Sequence, residues 1–442
     1  MNITFDFRKK TGKIKPMHAI GQPPRVWNWD THMHYLTEAH IPFSRLHDVN
    51  YPFGGFQYVD IPNVFRDFDA DENDPASYDF AFTDLLIKQL TDADCEPIYR
   101  LGVSIENFAK IKAYRIYPPA DPEKWARICE HIVAHYNDGW ADGFRYGIKY
   151  WEVWNEPDSD VFPGGDNLMF LGTPEEYYRL YEATSKRLKA RFGDTIKVGG
   201  YASCGFYAIF GDPEKYGVDP SLRRGVSDRQ KHFVRFYEDF LKFVKESGSP
   251  FDFFSWHSYD DVWHTTAVSE YVRRTLDEAG FVNTESHLNE WNNASEIENR
   301  GSSFAAAVAA AMMISMQKCP VDVLCYYDAS ISYLNYGGLF SPLDWKPLCA
   351  YYVFKAFGEL YALGNEVECV CDSNPGEVFA LGAVGDDGKR AVLIANSGAD
   401  AEILTNLSGM KVLLIDKEHF ITETAENPEK FTLGRNQTVL IM

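Results

Sequence analysis

Two short segments could do acid–base chemistry together. Trp154-Asn155-Glu156-Pro157 and Leu288-Asn289-Glu290-Trp291-Asn292 each close an apolar run with a glutamate beside an asparagine and a tryptophan. A pair of facing carboxyls suits cleavage of a glycosidic bond. One carboxyl donates a proton to the leaving oxygen, while the other stabilises or attacks an oxocarbenium-like carbon. Neighbouring carboxyls also push their pKa values apart, so one can hold a proton near neutral pH. A separation of roughly 5–5.5 Å would imply retention through a covalent intermediate. A lone glutamate of this kind would be read as a salt-bridged strand end. Two of them, in matching contexts, point to a site.

For these residues to meet, a closed architecture must bring distant segments to one rim. Apolar runs at 17–21, 43–48, 96–102, 150–156, 197–203, 252–259, 286–292 and 321–328 read as eight strands. Amphipathic helices separate them. Asp121-Pro122 reads as a cap and first turn, followed by Trp125, Ile128, Cys129, Ile132, Val133 and Tyr136 on one face. Thr173-Pro174-Glu175-Glu176 reads as a capping box, and Phe233 to Val244 form a stripe stopped by Gly248. Eight strand–helix repeats predict an α/β fold, a (β/α)8 TIM barrel over 14–360. Glu156 then ends the fourth strand and Glu290 the seventh, facing each other across the C-terminal mouth.

After about residue 365 the pattern becomes short strands with turn signals. Val378–Ala383 and Arg390–Asn396 flank Asp386-Asp387-Gly388, a hairpin signature. Further strands are expected at Ala401–Leu407, Met410–Ile415 and Thr438–Met442. Ile3, Phe5 and Phe7 alternate with polar residues. Residues 1–13 and 361–442 are therefore expected to form a small C-terminal antiparallel β-sandwich accessory domain.

The residues around the two glutamates resemble glycoside hydrolase clan A, and most closely its family 39 of β-xylosidases and α-L-iduronidases. Trp151-Glu152-Val153-Trp154-Asn155-Glu156-Pro157 is similar to the clan's acid/base motif, and Phe43-Ser44-Arg45-Leu46-His47 to a strand-2 motif. Lys197-Val198-Gly199-Gly200, Ser255-Trp256-His257-Ser258-Tyr259 and Gly337-Gly338-Leu339-Phe340 with Lys346-Pro347 resemble later segments in the same order. The resemblance implies Glu156 as acid/base and Glu290 as nucleophile. It implies that Asn155 bonds the sugar 2-hydroxyl and that Tyr259 donates to Glu290. Arg45 would lie beneath Glu290, where a cation favours the ionised carboxylate. His47 and His257 would contact sugar hydroxyls. Leu46 replaces the usual aromatic, Asp48 replaces a small residue, and the chain is shorter than typical xylosidases of the family.

The implied activity is a retaining, exo-acting, β-xylosidase-like hydrolase of short oligosaccharides. Other clan A activities (α-L-arabinofuranosidase, β-glucosidase, β-galactosidase) remain alternatives, as does an inactive sugar-binding barrel. Trp27, Trp29, Trp263, Trp291 and Trp345 fall at loops or strand ends, where a ring could stack on a pyranose. Trp291 is the expected stacking residue. His32-Met33-His34 has the spacing of some barrel metallohydrolases and would need partners such as His257 and Asp328. Its loop-like context argues against that, and neither metal nor organic cofactor is expected.

A net charge of −21 disfavours nucleic acid as a partner. The longest apolar stretch, Phe304 to Met316, falls short of the ~18 residues of a membrane span. The N-terminal residues lack a signal-peptide pattern, and the eight cysteines are scattered without a CxxC pair. Reduced thiols in a cytoplasmic protein are expected. Self-association is left open.

Overall fold

The computed structural model describes residues 1–24, 32–49, 59–104, 117–159, 169–292, 296–331, 336–372 and 376–442. The first strand, β1 (Asn2–Lys13), belongs to a C-terminal sheet. The next eight close a parallel barrel: β2 (Ala19–Gly21), β3 (Phe43–Leu46), β4 (Glu96–Leu101), β5 (Tyr150–Val153), β6 (Lys197–Ser203), β7 (Phe253–Ser258), β8 (Glu285–Trp291) and β9 (Val323–Tyr326). Closure comes from β2, which pairs in parallel with both β3 and β9. These are the eight runs read from the sequence.

The helical caps form as their residue types dictate. Asp121 accepts from the Glu123 and Lys124 amides, and Thr173 with Glu176 forms a reciprocal capping box. Gly248 ends its helix at φ 62°, a left-handed conformation that glycine adopts without a Cβ penalty. Among the described residues no helix is long and apolar enough to cross a membrane.

The barrel interior is layered. Its lower part is plugged by Ala19, Ile98, Tyr150, Phe253, Val323 and Cys325. Above them the inward positions change from apolar to polar, with Arg45, Arg100, Glu152 and Ser255 all fully buried. This switch raises the chemistry to the C-terminal rim and leaves the lower half as packing.

The remaining strands are β10 (Asn365–Cys371), β11 (Val378–Val384), β12 (Arg390–Asn396), β13 (Ala401–Thr405), β14 (Val412–Ile415), β15 (Phe420–Glu423), β16 (Lys430–Leu433) and β17 (Gln437–Ile441). With β1 they make one nine-stranded sheet, ordered β15-β14-β17-β12-β11-β10-β1-β13-β16. Its pairs are antiparallel except β1 with β13. The expected two-sheet sandwich is thus a single sheet that curls on itself. Ile3, Phe5, Val392, Ile403, Phe431 and Val439, from strands far apart in that order, share one core. The other face presents Leu381, Ala383, Leu393 and Leu440 to the barrel's hydrophobic cluster.

β1 sits centrally, joining β10 on one side to β13 on the other. Phe5, 3% exposed, is its main core contribution. Phe5→Ala should therefore destabilise the protein by about 3–5 kcal/mol. Urea unfolding checks this; a loss below about 1 kcal/mol would show that β1 is peripheral.

Candidate active site

The site is assembled by two local irregularities at strand ends. In β8 the pairing runs Trp256 with Leu288 and then His257 with Glu290, so Asn289 is an extra residue. The β9 side shows the same slip, Leu288 with Leu324 and then Trp291 with Tyr326. A bulge lets two successive side chains reach one face. Asn289 bonds Glu152, and Glu290 meets Arg45, both inside the barrel. At the end of β5, Trp154 and Glu156 adopt φ of 72° and 46°. Such conformations cost roughly 1–3 kcal/mol each for non-glycine residues and persist only where surroundings enforce them. Here the Trp154 indole donates to the Met169 carbonyl at 2.9 Å, and the Glu156 amide points to the Tyr201 and Ala202 carbonyls. Two residues on, Asp158 accepts from the Ser203 hydroxyl at 2.8 Å and from the Cys204 amide.

One guanidinium ties these pieces together. Arg45 donates through Nε to Glu152 at 2.7 Å, through Nη1 to Glu290 at 2.7 Å and through Nη2 to Asn155 Oδ1 at 2.6 Å. Because Asn155 Oδ1 is taken, its amide NH2 remains to donate. Glu152 is further held by the Ser255 hydroxyl at 2.6 Å. Tyr259 donates its hydroxyl to Glu290 Oε2 at 2.8 Å. His257 Nδ1 lies 2.8 Å from Glu156 and 3.5 Å from Glu290. One carboxylate oxygen from each glutamate and a His257 nitrogen lie within 4.8 Å of one another.

Electrostatics follow from this crowding. Burial acts to raise the Glu156 carboxyl, but contact with His257 outweighs it and holds the group below its usual range. Burial likewise opposes a charged His257, and Glu290 and Glu156 overcome it, raising the imidazole. The contact thus shares a proton, resting on the imidazole side. Burial lifts Asp158 to about 7, with Glu156 adding to the rise. Asp328 is also lifted to about 7 by burial, reinforced by Asp48 and Glu290.

Of the residues singled out in the sequence, Arg45, His47, Asn155, Glu156, His257, Tyr259 and Glu290 gather at this mouth. His47 Nε2 lies 3.2 Å from Asp48 and 3.9 Å from Glu290. His257 differs from expectation: its side chain is fully buried against the two carboxylates and does not face open space. Trp291 is not a stacking platform. It is 0% exposed and packs edge-on against Tyr326, because the bulge that turns Glu290 inward turns the next residue outward. Leu46, also fully buried, sits among the core side chains, so its departure from an aromatic is a packing difference. Trp263 lines a separate cavity of about 360 Å³ with Leu222 and Tyr271. Trp345 is partly exposed, and its carbonyl lies 2.6 Å from His32 Nε2. That ring packs on Tyr35 and Phe340, and His32 and His34 do not converge with His257 and Asp328 among the described residues. Trp27 and Trp29 lie outside the described residues.

Sequence reasoning missed Glu152, a carboxylate inside an apolar run and so in need of a buried cation. It also missed Gln22 and Tyr327, joined by a 3.0 Å hydrogen bond, and Tyr336, whose ring packs on both Tyr259 and Tyr327. Tyr327 ends the eighth apolar run and could have been found there. Gln22 and Tyr336 carry no such signal.

A closed parallel barrel with two carboxylates at one mouth defines a class, the barrel glycoside hydrolases. The family model described as glycosyl hydrolases family 39 matches residues 25–338, and the chain belongs to that family. It is a glycosidase. Its fold is similar to that of a glucosidase from Croceicoccus marinus, at 21% identity and a TM-score of 0.77, covering 100% of this chain and 98% of the other. A family 39 β-xylosidase from Caulobacter crescentus aligns at 18% identity and a TM-score of 0.69, covering 100% and 99%. A family 30 subfamily 8 xylanase from Clostridium acetobutylicum aligns at 13% identity and 0.58, covering 100% and 98%.

The raised Asp328 has a measurable consequence. Its folded value, about 7, exceeds the usual 3.8, so the ionised form opposes folding and stability drains away as pH rises between those values. Asp328→Asn keeps an Oδ1 acceptor for Ser330 and cannot ionise. Relative to wild type, the variant should gain about 2 kcal/mol between pH 5 and pH 8. Denaturant melts at both pH values decide; a constant difference would refute the shift.

Proposed function

We propose that the chain is a retaining glycosidase acting by double displacement, with Glu290 as nucleophile and Glu156 as acid/base. The observation that carries this reading is that one oxygen of each carboxylate lies within 4.8 Å of the other, an approach that suits the roughly 5–5.5 Å carboxyl spacing of retaining enzymes. An inverting enzyme needs a gap of about 6.5–9.5 Å to admit water between substrate and base.

In the first step a Glu290 oxygen bonds to the anomeric carbon as the bond to the leaving oxygen breaks. Glu156 gives that oxygen its proton. In the second step Glu156 takes a proton from water, whose oxygen displaces Glu290 and releases the sugar with its configuration retained. Arg45 and Tyr259 hold the nucleophile by both oxygens, which fixes its line of attack. The Asn155 amide, oriented by Arg45, is placed to donate to the 2-hydroxyl. The acid's proton is kept in the 2.8 Å contact with His257 and crosses to Glu156 when a leaving oxygen arrives.

Substrates are short oligosaccharides cleaved from one end, with β-xylosides as the first choice. The family 39 β-xylosidase fold supports this, and the glucosidase of higher TM-score supports testing β-glucosides beside them. Residues 14–360 would supply the catalysis and the curled sheet its support. Cys95, Cys129, Cys204, Cys325 and Cys349, buried thiols, support a reducing, cytoplasmic setting.

Glu290→Ala should lower kcat by 10⁴-fold or more on the order of other nucleophile losses. Glu156→Ala should cost about 10²–10⁴-fold on alkyl glycosides and far less on 2,4-dinitrophenyl glycosides, whose leaving group needs little protonation. Equal losses on both would remove Glu156 from the acid role. His257→Gln should move the basic limb of the kcat/KM–pH profile to lower pH while the acidic limb stays. The raised imidazole prolongs proton retention by the pair in wild type, so an unmoved basic limb would show that His257 stores no proton.

A further inference from the structure

The far wall of the mouth carries charge that the reaction does not use. Gln22, Asp48 and Tyr327 follow β2, β3 and β9, the arc of the barrel across from Glu156. Tyr327 donates its hydroxyl to Asp48 Oδ2 at 2.8 Å, and Gln22 donates to the Tyr327 oxygen at 3.0 Å. His47 spans the space between Asp48 and Glu290, at 3.2 Å and 3.9 Å. Asp48 is 6% exposed and adopts φ 54°, a conformation strained for a residue with a Cβ.

We propose that Asp48 is a specificity residue: with Tyr327 and Gln22 it forms an anionic wall that accepts hydroxyls from the end of the glycone remote from the leaving group, so the enzyme takes neutral glycosides and rejects uronides. This rests on the glycosidase reading of the same mouth.

Every group facing that wall supports it. Burial works to raise Asp48, but His47 beside it outweighs burial and holds the carboxylate well below its usual range. Glu290 and Asp328 add carboxyl groups on the same side; Asp328 is 4% exposed, and its Oδ1 accepts from Ser330. Against them stands Arg45, fully buried, with donors spent on Glu152, Glu290 and Asn155. Arg100, also fully buried, donates through Nη2 to Asp60 and Ser104, and its charge helps to keep Asp48 ionised. Among the described residues, His47 can carry positive charge but already lies against Asp48 and Glu290, so a uronate carboxylate here would meet those two carboxylates. A neutral sugar instead offers hydroxyls, and an ionised carboxylate accepts from them strongly.

The test compares kcat/KM for 4-nitrophenyl β-xyloside and β-glucoside with β-glucuronide and α-L-iduronide, using the whole chain. Wild type should favour the better neutral substrate by at least ~100-fold. Asp48→Asn should lose neutral activity chiefly through KM and narrow the gap at least ~10-fold. Calorimetry with free xylose, glucose and glucuronate supplies an arm independent of turnover, in which wild type should bind a neutral sugar and not glucuronate. Equal turnover or binding of uronic and neutral sugars by wild type overturns the proposal, with no variant needed. An unchanged ratio in folded Asp48→Asn removes Asp48 as the determinant. Neutral-selective binding without turnover of any glycoside would uphold the wall and sink the hydrolase mechanism.

Discussion

A single buried cation organises the mouth of this barrel. Arg45 has no exposure, yet it contacts Glu152, Asn155 and Glu290 from two other strands and the turn that follows one of them. Burying a guanidinium is unfavourable unless its donors are met by charge-assisted acceptors of good geometry. Here the acceptors are the groups whose placement matters most. The same bonds that make burial tolerable also orient Glu290 and turn the asparagine amide outward. Stability and alignment are therefore one set of contacts, and a lysine, lacking the planar fork, could not make all three.

Around that cation the mouth is divided by charge. On the side of Glu156, His257 lies between two carboxylates, whose charge raises the imidazole against the pull of burial. On the other side, Asp48 and Asp328 face the same space with opposite tendencies, one held ionised and one lifted to about 7. Like charges in a low-dielectric pocket cannot all be expressed together, so protonation is apportioned among them. The aromatic hydroxyls of Tyr259 and Tyr327 each donate to one carboxylate, Glu290 and Asp48 respectively.

The barrel was legible because each strand is a short apolar run bounded by capped amphipathic helices, and both signals are local. Glu156 and Glu290 were legible because a charge at the end of such a run has few structural uses. Gln22 was not, since its partner Tyr327 lies 305 residues away; Tyr336 was not, since it sits in no strand or helix and its role comes only from packing on Tyr259 and Tyr327. β15 and β16 also escaped notice: each spans only four residues, and in β15 Phe420 is 44% exposed, which breaks its pattern. Trp291 was misread for a different reason. Simple adjacency cannot say which face a residue takes once an extra residue interrupts the two-residue period.

That extra residue separates folding from chemistry in β8. Straighten the strand so that its side chains alternate regularly through Asn289, Glu290 and Trp291, and it could still pair with both neighbours and close the barrel. Yet the carboxylate would point into the helical layer and an indole into the sugar's place. Such a molecule would be well folded and inert. The register slip at Asn289, more than the barrel's packing, is therefore what keeps this mouth chemically competent.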